Sequence, residues 1–288
     1  MKVQKILSKD AAYQKLEELK TNRNKRYRYG EFLVEGVRNI NEAVIKGWEI
    51  VSWVYAARRQ LSDWAKNMLR TVPTEVNLEL APALMDEISG KEDASELLAV
   101  VKMKDDADRD TAWLLDALHL TGRNPQNSRP PLLALFDRPS NRGNLGTIIR
   151  SLDALGADGL ILTGHGVDLY DPDVVVSTMG SFFALPVVRI PRHDALAALF
   201  AGIRETFGDL QVLGTTAHAE KALWQMDLQK PTVFMIGCET DGLSEGLKPL
   251  CTEMVTIPMA ETSYASSFNV ACAATVMFYE AAKQRSQP

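Results

Sequence analysis

The chain has 288 residues, 46% of them hydrophobic, and its 32 basic and 37 acidic side chains give a net charge of −5. This length and composition allow a large core and two domains, and the charge argues against a protein that coats nucleic acid without specificity, because that needs clustered Lys and Arg. No apolar run approaches the ~20 residues of a membrane span and the N-terminal residues lack the apolar centre of a signal peptide, so we expect a cytoplasmic protein without membrane contact.

The first hundred residues mix helical and strand patterns. Apolar side chains from Ile6 to Leu19 fit one helical face, and a second helix spans residues 36–46, before Gly47 stops it. Two β-rich runs follow, at 50–56 and 96–101. Two helical stretches lie between them, at 61–71 and 81–89. We therefore predict a small α/β domain over residues 1–104.

A basic cluster lies inside this domain, and no acidic residue interrupts it. Tyr27 and Tyr29 stand among its five cations, which are Lys20, Arg23, Lys25, Arg26 and Arg28. Clustered cations with aromatic neighbours are suited to an RNA backbone and its unstacked bases. A solvated helix end has the same charge pattern, so on charge alone both interpretations stay open.

Residues 105–130 are rich in charge, Asn and Pro, which predicts an exposed linker. The apolar stretch 113–120 within it is expected to pack, although the sequence does not say against what.

From residue 131 to 288 the pattern becomes regular. Six buried strands are predicted, at 132–137, 159–163, 187–190, 211–215, 232–237 and 253–257. Strands that are apolar throughout and separated by helices imply a mostly parallel sheet with helices on both faces. Ligands of such sheets bind beyond the carboxyl ends of the strands, which directs attention to the loops after Asp137, Gly237 and Ile257.

The loop after Asp137 leads into a helix with one polar side. Asn144, which can cap this helix, recurs with Thr147 and Arg150 at every third position, away from an apolar stripe. An arginine there can bind a phosphate through two parallel hydrogen bonds. By itself, a glycine-rich turn into a helix is more often a simple tight turn.

The other two loops carry small and acidic side chains. Gly237 leaves room for a flat ligand against the backbone, and Glu239 lies at the rim of the same predicted pocket. Ser267 and Asn269 begin a last helix, where they can hydrogen-bond a ribose or a cofactor. This helix ends near Lys283 and is apolar around much of its circumference, which favours burial against a second subunit. Each polar residue also has a simpler explanation, as a helix cap or a surface group.

The cysteines and histidines indicate neither a disulfide nor a metal site. Cys238, Cys251 and Cys272 are far apart in apolar surroundings, and the four histidines are scattered. We expect reduced, buried thiols and no bound metal.

Taken together, three segments resemble the signature motifs of the SpoU (TrmH-like) methyltransferases of the SPOUT superfamily. They are NLGTIIRSLDALG, IGCETDGLS, and IPM followed by SFNVACAA, at 144–156, 236–244, 257–259 and 267–274. The stretch 167–190 follows the family pattern as well. Residues 19–44, LKTNRNKRYRYGEFLVEGVRNINEAV, resemble the substrate-binding domain, similar to a ribosomal protein fold, that precedes the catalytic domain in many members. The joint match is far more specific than any part.

The resemblance implies an α/β fold whose C-terminal parallel sheet, in residues 131–288, is threaded into a deep trefoil knot. It implies S-adenosylmethionine as cofactor, a homodimer that completes the sites, and 2′-O-ribose methylation of a structured RNA, above all ribosomal RNA. By motif matching, Gly237, Ile257 and Phe268 contact the cofactor. The reaction centre is then formed by Asn144, Arg150, Glu239, Ser267 and Asn269.

Family accounts give the arginine the task of activating the ribose hydroxyl. A guanidinium with a pKa above ~12 is a poor base, so our hypothesis is that Arg150 binds the substrate phosphate and orients the 2′-hydroxyl. Three positions depart from the family pattern: seven residues without a glycine separate Met259 from Ser267 where five with a glycine are usual, Val176 replaces an arginine, and Phe268 replaces a leucine.

Three other functions are weighed against this one. A tRNA methyltransferase has the same motifs, and the altered third motif favours a non-catalytic RNA- or ribosome-binding protein that keeps the knotted fold. Retention of all five residues of the reaction centre argues against the second of these. A dinucleotide-dependent oxidoreductase lacks support, because no GxGxxG turn follows the first strand of the large domain. The sequence leaves open which nucleotide is modified, and whether the enzyme serves housekeeping or antibiotic resistance.

Overall fold

A computed structural model describes residues 2–91, 93–104, 110–120 and 129–286. The chain divides into two compact units. The first consists of Met1–Asp105 and Asp168–Ala184, and the second of Asp106–Val167 and Leu185–Pro288. The predicted domain boundaries at 104 and 131 remain a prediction. The compact units differ from the predicted domains because Asp168–Ala184 belongs to the first unit.

The structure contains twelve strands and ten α-helices in its described part. The strands are β1 (Lys2–Ile6), β2 (Glu31–Glu35), β3 (Ile50–Ala56), β4 (Val76–Leu80), β5 (Leu97–Lys102), β6 (Leu132–Asp137), β7 (Gly159–Thr163), β8 (Val187–Arg189), β9 (Gln211–Thr215), β10 (Lys221–Ala222), β11 (Thr232–Ile236) and β12 (Glu253–Thr256). The helices are α1 (Ala11–Thr21), α2 (Arg23–Tyr29), α3 (Val37–Ile45), α4 (Asp63–Thr71), α5 (Pro82–Ile88), α6 (Thr111–Leu120), α7 (Arg142–Ala154), α8 (Pro172–Ser177), α9 (His193–Phe207) and α10 (Val270–Arg285).

The first unit is built on a five-stranded sheet in the order β1-β4-β3-β5-β2. Strands β1, β4 and β3 run parallel, and β5 is antiparallel to both β3 and β2. The predicted α/β character of this region is confirmed. The assignment of Ile6 to a helical face is wrong, because Ile6 ends β1 and α1 begins only after Asp10, whose carboxylate accepts the N–H of Tyr13.

Asp168–Ala184 packs into the aromatic core of the first unit. The ring of Phe32 lies 5.0 Å from Tyr170, 5.6 Å from Phe182 and 6.4 Å from Phe183, measured between centroids. The indole of Trp48 contacts Phe182 and Phe183 at 5.6 and 5.3 Å. The rings meet edge-on or tilted in most of these pairs, which is the favourable arrangement for aromatic quadrupoles.

A buried ion pair holds the same segment. Arg26 is 1% exposed, and its guanidinium lies 2.6 Å from the Asp168 carboxylate and 3.4 Å from that of Asp171. The same guanidinium donates to the carbonyls of Leu19 and Lys20. A side chain so placed cannot reach a phosphate, so the prediction that Arg26 contacts RNA is wrong for this structure.

The second unit contains a seven-stranded sheet in the order β10-β12-β9-β11-β6-β7-β8, and all of its described pairs are parallel. Its two faces are covered by different helices. Val233 and Met235 of β11 pack into the cluster that contains α9, whereas the ring of Phe234 meets that of Phe278 of α10 edge-on, with 5.2 Å between the centroids. The predicted parallel sheet with helices on both faces is confirmed.

The apolar stretch inside the predicted linker is α6, and it belongs to the core of the second unit. Leu114 and Leu118 are buried in the cluster around α9, with Trp113 and Leu115 packed against it. The rest of the predicted linker, at 105–109 and 121–128, lies outside the described residues.

The cysteines are all unpaired, but their burial differs from the prediction. Cys238 is buried, Cys251 is half-buried, and Cys272 is exposed on α10. Cys272 was predicted to be buried because its neighbours are apolar, yet it falls on the outward side of the helix. In the described ranges, no helix has the length and apolar character that crossing a membrane requires.

Replacing Arg26 tests the buried ion pair. We expect Arg26→Met to lower the free energy of unfolding of the first unit by about 3–5 kcal/mol, because Asp168 and Asp171 are left as buried charges without a counterion. Urea unfolding followed by circular dichroism measures this loss. Arg28→Met is the matched control, since Arg28 is exposed on the same helix and should change stability by less than ~0.5 kcal/mol. Equal stability of the two variants would contradict the assignment.

Candidate active site

A cavity of about 760 Å³ opens at the carboxyl ends of three strands of the second unit. Its walls come from the loops after β9, β11 and β12 and from the first turns of α10. Ligands of parallel sheets bind beyond the carboxyl ends of the strands, and the cavity lies at that edge of this sheet. The volume lies in the range of sites for small molecules and cofactors.

Most of the residues predicted for the cofactor and the reaction centre meet at this cavity. Six of the eight line it, namely Gly237, Glu239, Ile257, Ser267, Phe268 and Asn269. Asn144 lies one hydrogen bond away. Arg150 is not among the lining residues.

A chain of hydrogen bonds connects the three loops. The Asn269 amide donates to the Asn144 side-chain carbonyl at 3.2 Å, and the Asn144 amide donates to Glu239 at 2.6 Å. Ser140 donates a short hydrogen bond to the second oxygen of Glu239. The residues are up to 125 positions apart in sequence, so this chain fixes the loops relative to one another.

A helix cap determines which groups donate and which accept in this series of hydrogen bonds. The side-chain oxygen of Asn269 accepts the N–H groups of Ala271 and Cys272, which would otherwise be unpaired at the start of α10. That oxygen is therefore occupied, and the amide of Asn269 must face Asn144. Asn144 then turns its own amide towards Glu239, the only arrangement that gives each donor an acceptor.

Glu239 is held as a carboxylate. Burial alone would raise the pKa of Glu239, but the hydrogen bonds from Ser140 and Asn144 outweigh burial and lower the pKa below its ordinary value. Both oxygens accept hydrogen bonds, so the carboxylate organises the rim of the cavity, and its lowered pKa makes it a weaker base.

The loop after β11 is a tight turn in which Gly237 is required. A Cβ at this position would lie 2.1 Å from the carbonyl carbon of Gly242 and 2.2 Å from the nitrogen of Leu243. Cys238 and Gly242 pair across the turn as an isolated antiparallel bridge. Glycine is thus needed for the close approach of the loop to itself, and Gly237 lines the cavity as well.

Asp137 and Arg138 secure this turn from the end of β6. The buried Asp137 carboxylate accepts the backbone N–H of Ser244 at 3.0 Å and the hydroxyl of Thr163 at 2.9 Å. Arg138, with a left-handed φ of 50°, donates to the Gly242 carbonyl at 2.9 Å. Sequence patterns do not mark Ser140, Asp137 and Arg138 as site residues, because their partners lie about a hundred positions away.

Arg150 lies on the exposed side of α7. It stands six residues after Asn144, which places it about 9 Å further along the helix axis. Thr147 between them is also exposed, so the predicted polar strip exists. The helix cap is Asn141, which accepts the N–H of Asn144, and not Asn144 as predicted.

Four members of the basic cluster keep access to solvent in the first unit. Arg23 and Arg28 are exposed on α2, where the Arg23 guanidinium lies 5.7 Å from the centre of the Tyr27 ring. Lys25 pairs with Glu18 at 2.7 Å. The Lys20 ammonium donates to two backbone carbonyls, at 3.2 and 3.3 Å.

The cavity suits S-adenosylmethionine in its chemistry. Its walls include the apolar side chains of Leu223, Ile236, Val255 and Met277, which can enclose an adenine ring. Hydroxyl and amide groups along the walls can bond ribose and amino-acid groups. Carboxylates at the rim complement a sulfonium charge. In the described ranges, no group of three or more His, Cys, Asp or Glu side chains is arranged to hold a metal ion.

Asn269→Asp separates the capping role of Asn269 from its bond to Asn144. Aspartate caps a helix as well as asparagine does but has no amide to donate, so we expect unchanged stability and an activity lower by about tenfold or more. Asn269→Ala should lose the activity and, in addition, about 1 kcal/mol of stability. Methyl transfer and thermal unfolding measure the two effects. Full activity of Asn269→Asp would show that the bond to Asn144 is dispensable.

Ser140→Ala tests the electrostatics of Glu239 through pH. The hydrogen-bonded network needs the carboxylate, so it is intact above the pKa of Glu239 and is lost as pH falls through it. Removing the Ser140 donor raises this pKa, so the loss of cofactor binding at acid pH should begin at a higher pH in the variant than in the wild type. Calorimetric titrations with S-adenosylmethionine at several acid pH values locate the pH range in which binding is lost. Superimposable pH profiles for the variant and the wild type would refute this account.

Comparison with known proteins assigns the family. Residues 131–279 match the model of the SpoU rRNA Methylase family, and residues 10–99 match that of the SpoU L30e-like domain. A 23S rRNA (uridine(2479)-2′-O)-methyltransferase of Streptomyces viridochromogenes is 43% identical over 284 residues, which cover 98% of this chain and 92% of that protein.

Solved structures agree with this assignment. The SpoU methyltransferase AviRb from Streptomyces viridochromogenes, in complex with the cofactor AdoMet, superposes with a TM-score of 0.84 at 43% identity, over 96% of this chain and 98% of the other. An AdoMet-bound rRNA methyltransferase from Sinorhizobium meliloti gives 0.77 at 27% identity, over 98% of each chain. The chain belongs to the SpoU rRNA Methylase family and carries a SpoU L30e-like domain at its N-terminal side.

Proposed function

We propose that this chain transfers the methyl group of S-adenosylmethionine to the ribose 2′-oxygen of ribosomal RNA. The observation that carries the proposal is the convergence of the second and third motif loops on one cavity, to which the first motif is joined by the hydrogen bonds from Asn269 to Asn144 to Glu239. Similarity over almost the full length to a protein named as a 23S rRNA 2′-O-methyltransferase supports the same reaction and substrate.

The residues of the cavity act mainly by positioning. When bound, S-adenosylmethionine supplies an electrophilic methyl group. The turn at Gly237 and the apolar walls around Ile257 and Phe268 hold the donor, while Ser267 and Asn269 offer a hydroxyl and an amide to the ribose. Alignment of two reactants in this way accounts for much of the acceleration in displacement reactions.

Arg150 serves the RNA backbone. Its guanidinium binds a phosphate next to the target ribose, and the hydroxyl proton leaves to that phosphate or to water. A lysine at this position keeps the charge but loses the paired hydrogen bonds. The exposure of Arg150 leaves its guanidinium accessible to RNA.

A homodimer completes the site in this proposal. Arg150 does not line the cavity of its own chain, and α10 exposes Val276 and Tyr279 on a face that a second copy would cover. The two-fold partner would then bring its Arg150 to the cavity. We also propose, from the family resemblance, that the loops after β11 and β12 form a trefoil knot and that the protein acts in the cytoplasm.

The first unit binds the RNA substrate in this proposal. Arg23 and Arg28 are exposed next to Tyr27, and Lys20 and Lys25 extend the same cluster. Cations of this kind contact phosphates, and the tyrosine offers a ring for an unstacked base.

Methylation of defined RNAs tests the reaction and its substrate. The purified chain should transfer labelled methyl groups from S-adenosylmethionine to unmodified ribosomal RNA, at one nucleotide whose 2′-O-methylation blocks alkaline cleavage. If methyl groups were transferred to tRNA alone, tRNA would replace ribosomal RNA as the proposed substrate. A failure to bind S-adenosylmethionine, with or without RNA, would favour a non-catalytic RNA-binding protein.

Mixing two inactive variants tests the shared site. Arg150→Lys and Ser267→Ala should each lose most of the activity, whereas a mixture exchanged into heterodimers should recover about a quarter of the wild-type rate, because one site in each heterodimer is then intact. Mixing each variant with itself is the control. Heterodimers without recovered activity would show that Arg150 acts within its own chain, and near-normal turnover of Arg150→Lys would refute the phosphate-binding role.

A further inference from the structure

The segment between β12 and α10 presents an aromatic ring that its own chain leaves uncovered. Tyr264 is 106% exposed, and residues 260–269 around it are exposed throughout. In the described ranges, the structure shows neither a hydrogen bond nor a ring contact from this phenol to another side chain. Water therefore surrounds a large apolar surface next to the cavity.

The backbone on which Tyr264 stands is fixed at several points. The segment begins at β12, which pairs with β9, and it ends at Asn269, which caps α10. In its middle, the Ser263 N–H donates to the Ala260 carbonyl at 2.8 Å, and the Ala265 N–H donates to the Ser263 hydroxyl at 3.1 Å. Such a turn holds the neighbouring residue in one orientation.

The position of the ring follows from the cavity. Met259 before Tyr264 and Ser267 after it both line the cavity, so the segment in between borders the cavity mouth. A ribose whose 2′-oxygen enters the cavity carries its base on the adjacent carbon. That base must lie at the mouth, among the side chains of this segment.

The composition of the segment suits a base better than a phosphate. Around Tyr264 stand the hydroxyls of Thr262, Ser263 and Ser266, and the single charged residue between 258 and 269 is the acidic Glu261. Phosphate contacts need cations, which are absent from these positions. Tyrosine with serine and threonine combines a rigid stacking surface with adaptable hydrogen bonds.

We propose that Tyr264 stacks on the base of the nucleotide whose ribose is methylated. The proposal rests on the proposed function and extends it to the state of the substrate. The target nucleotide is one whose base has left the stack of its neighbours, as in a loop or a bulge, because only such a base exposes a face to an aromatic side chain.

Kinetics of three Tyr264 variants test the proposal. With an unmodified 23S rRNA transcript as the probe, Tyr264→Ala should lower kcat/KM for RNA by about 5- to 150-fold, the range found for single base-aromatic stacks. Tyr264→Phe and Tyr264→Trp keep a ring and should stay close to wild type. The dissociation constant for S-adenosylmethionine should be unchanged in all three. Leu7→Ala is the control, because it removes a similarly exposed apolar side chain from the first unit.

A modified RNA distinguishes stacking from a structural effect. A transcript without the base at the mapped nucleotide should be methylated by wild type and by Tyr264→Ala at equal, reduced rates. Wild-type kinetics of Tyr264→Ala would overturn the proposal, as would an equal loss of affinity for S-adenosylmethionine. Dissociation of a dimer by Tyr264→Ala in sedimentation would assign the ring to a second copy instead. If the wild type transfers no methyl group to the transcript at all, the proposed function fails and this proposal fails with it.

Discussion

The candidate site depends on a single helix cap. Asn269 uses its side-chain oxygen to pair the first N–H groups of α10, and this commitment orients its amide, then the amide of Asn144, and finally the carboxylate of Glu239. Three loops that are distant in sequence are thereby fixed to one another at the carboxyl ends of the sheet. Because α10 spans sixteen residues and buries one face against the sheet, the cap rests on a regular, packed helix, which helps to fix the geometry of the cavity.

Much of the fold could be predicted from hydrophobic periodicity. Runs such as 132–137 and 159–163 are apolar up to their last residue, and every residue of the corresponding strands β6 and β7 is buried. β1 was not found, since four of its five residues are exposed and their pattern resembles a surface helix. Hydrophobic periodicity reflects which side chains are buried. An edge strand with few buried side chains therefore shows almost no periodic pattern.

The sequence indicated which residues lie at the candidate site better than it indicated how they are arranged. Motif order brought Glu239, Ser267 and Asn269 together correctly, because the ends of parallel strands share one edge. Ser140 and Arg138 were missed, since the sequence offers no local sign of a partner about a hundred residues away. For Gly237 the structure adds a second constraint that the sequence does not show, because a Cβ there would collide with the loop itself. Arg26 was predicted to bind RNA, because the sequence does not show which arginine of a basic cluster is buried against a carboxylate.

The boundary between the two units does not follow the boundary between the two family models. Asp168–Ala184 lies within the stretch 131–279 that matches the methylase model, yet it belongs to the first compact unit. Without it, Phe32 and Trp48 would lose the rings that cover them, and Arg26 would be a buried charge without a carboxylate. The stretch 10–99 that matches the L30e-like model therefore does not contain its whole core. Since the chain enters the first unit at Asp168 and leaves it after Ala184, the core of the first unit depends on part of the stretch that matches the methylase model.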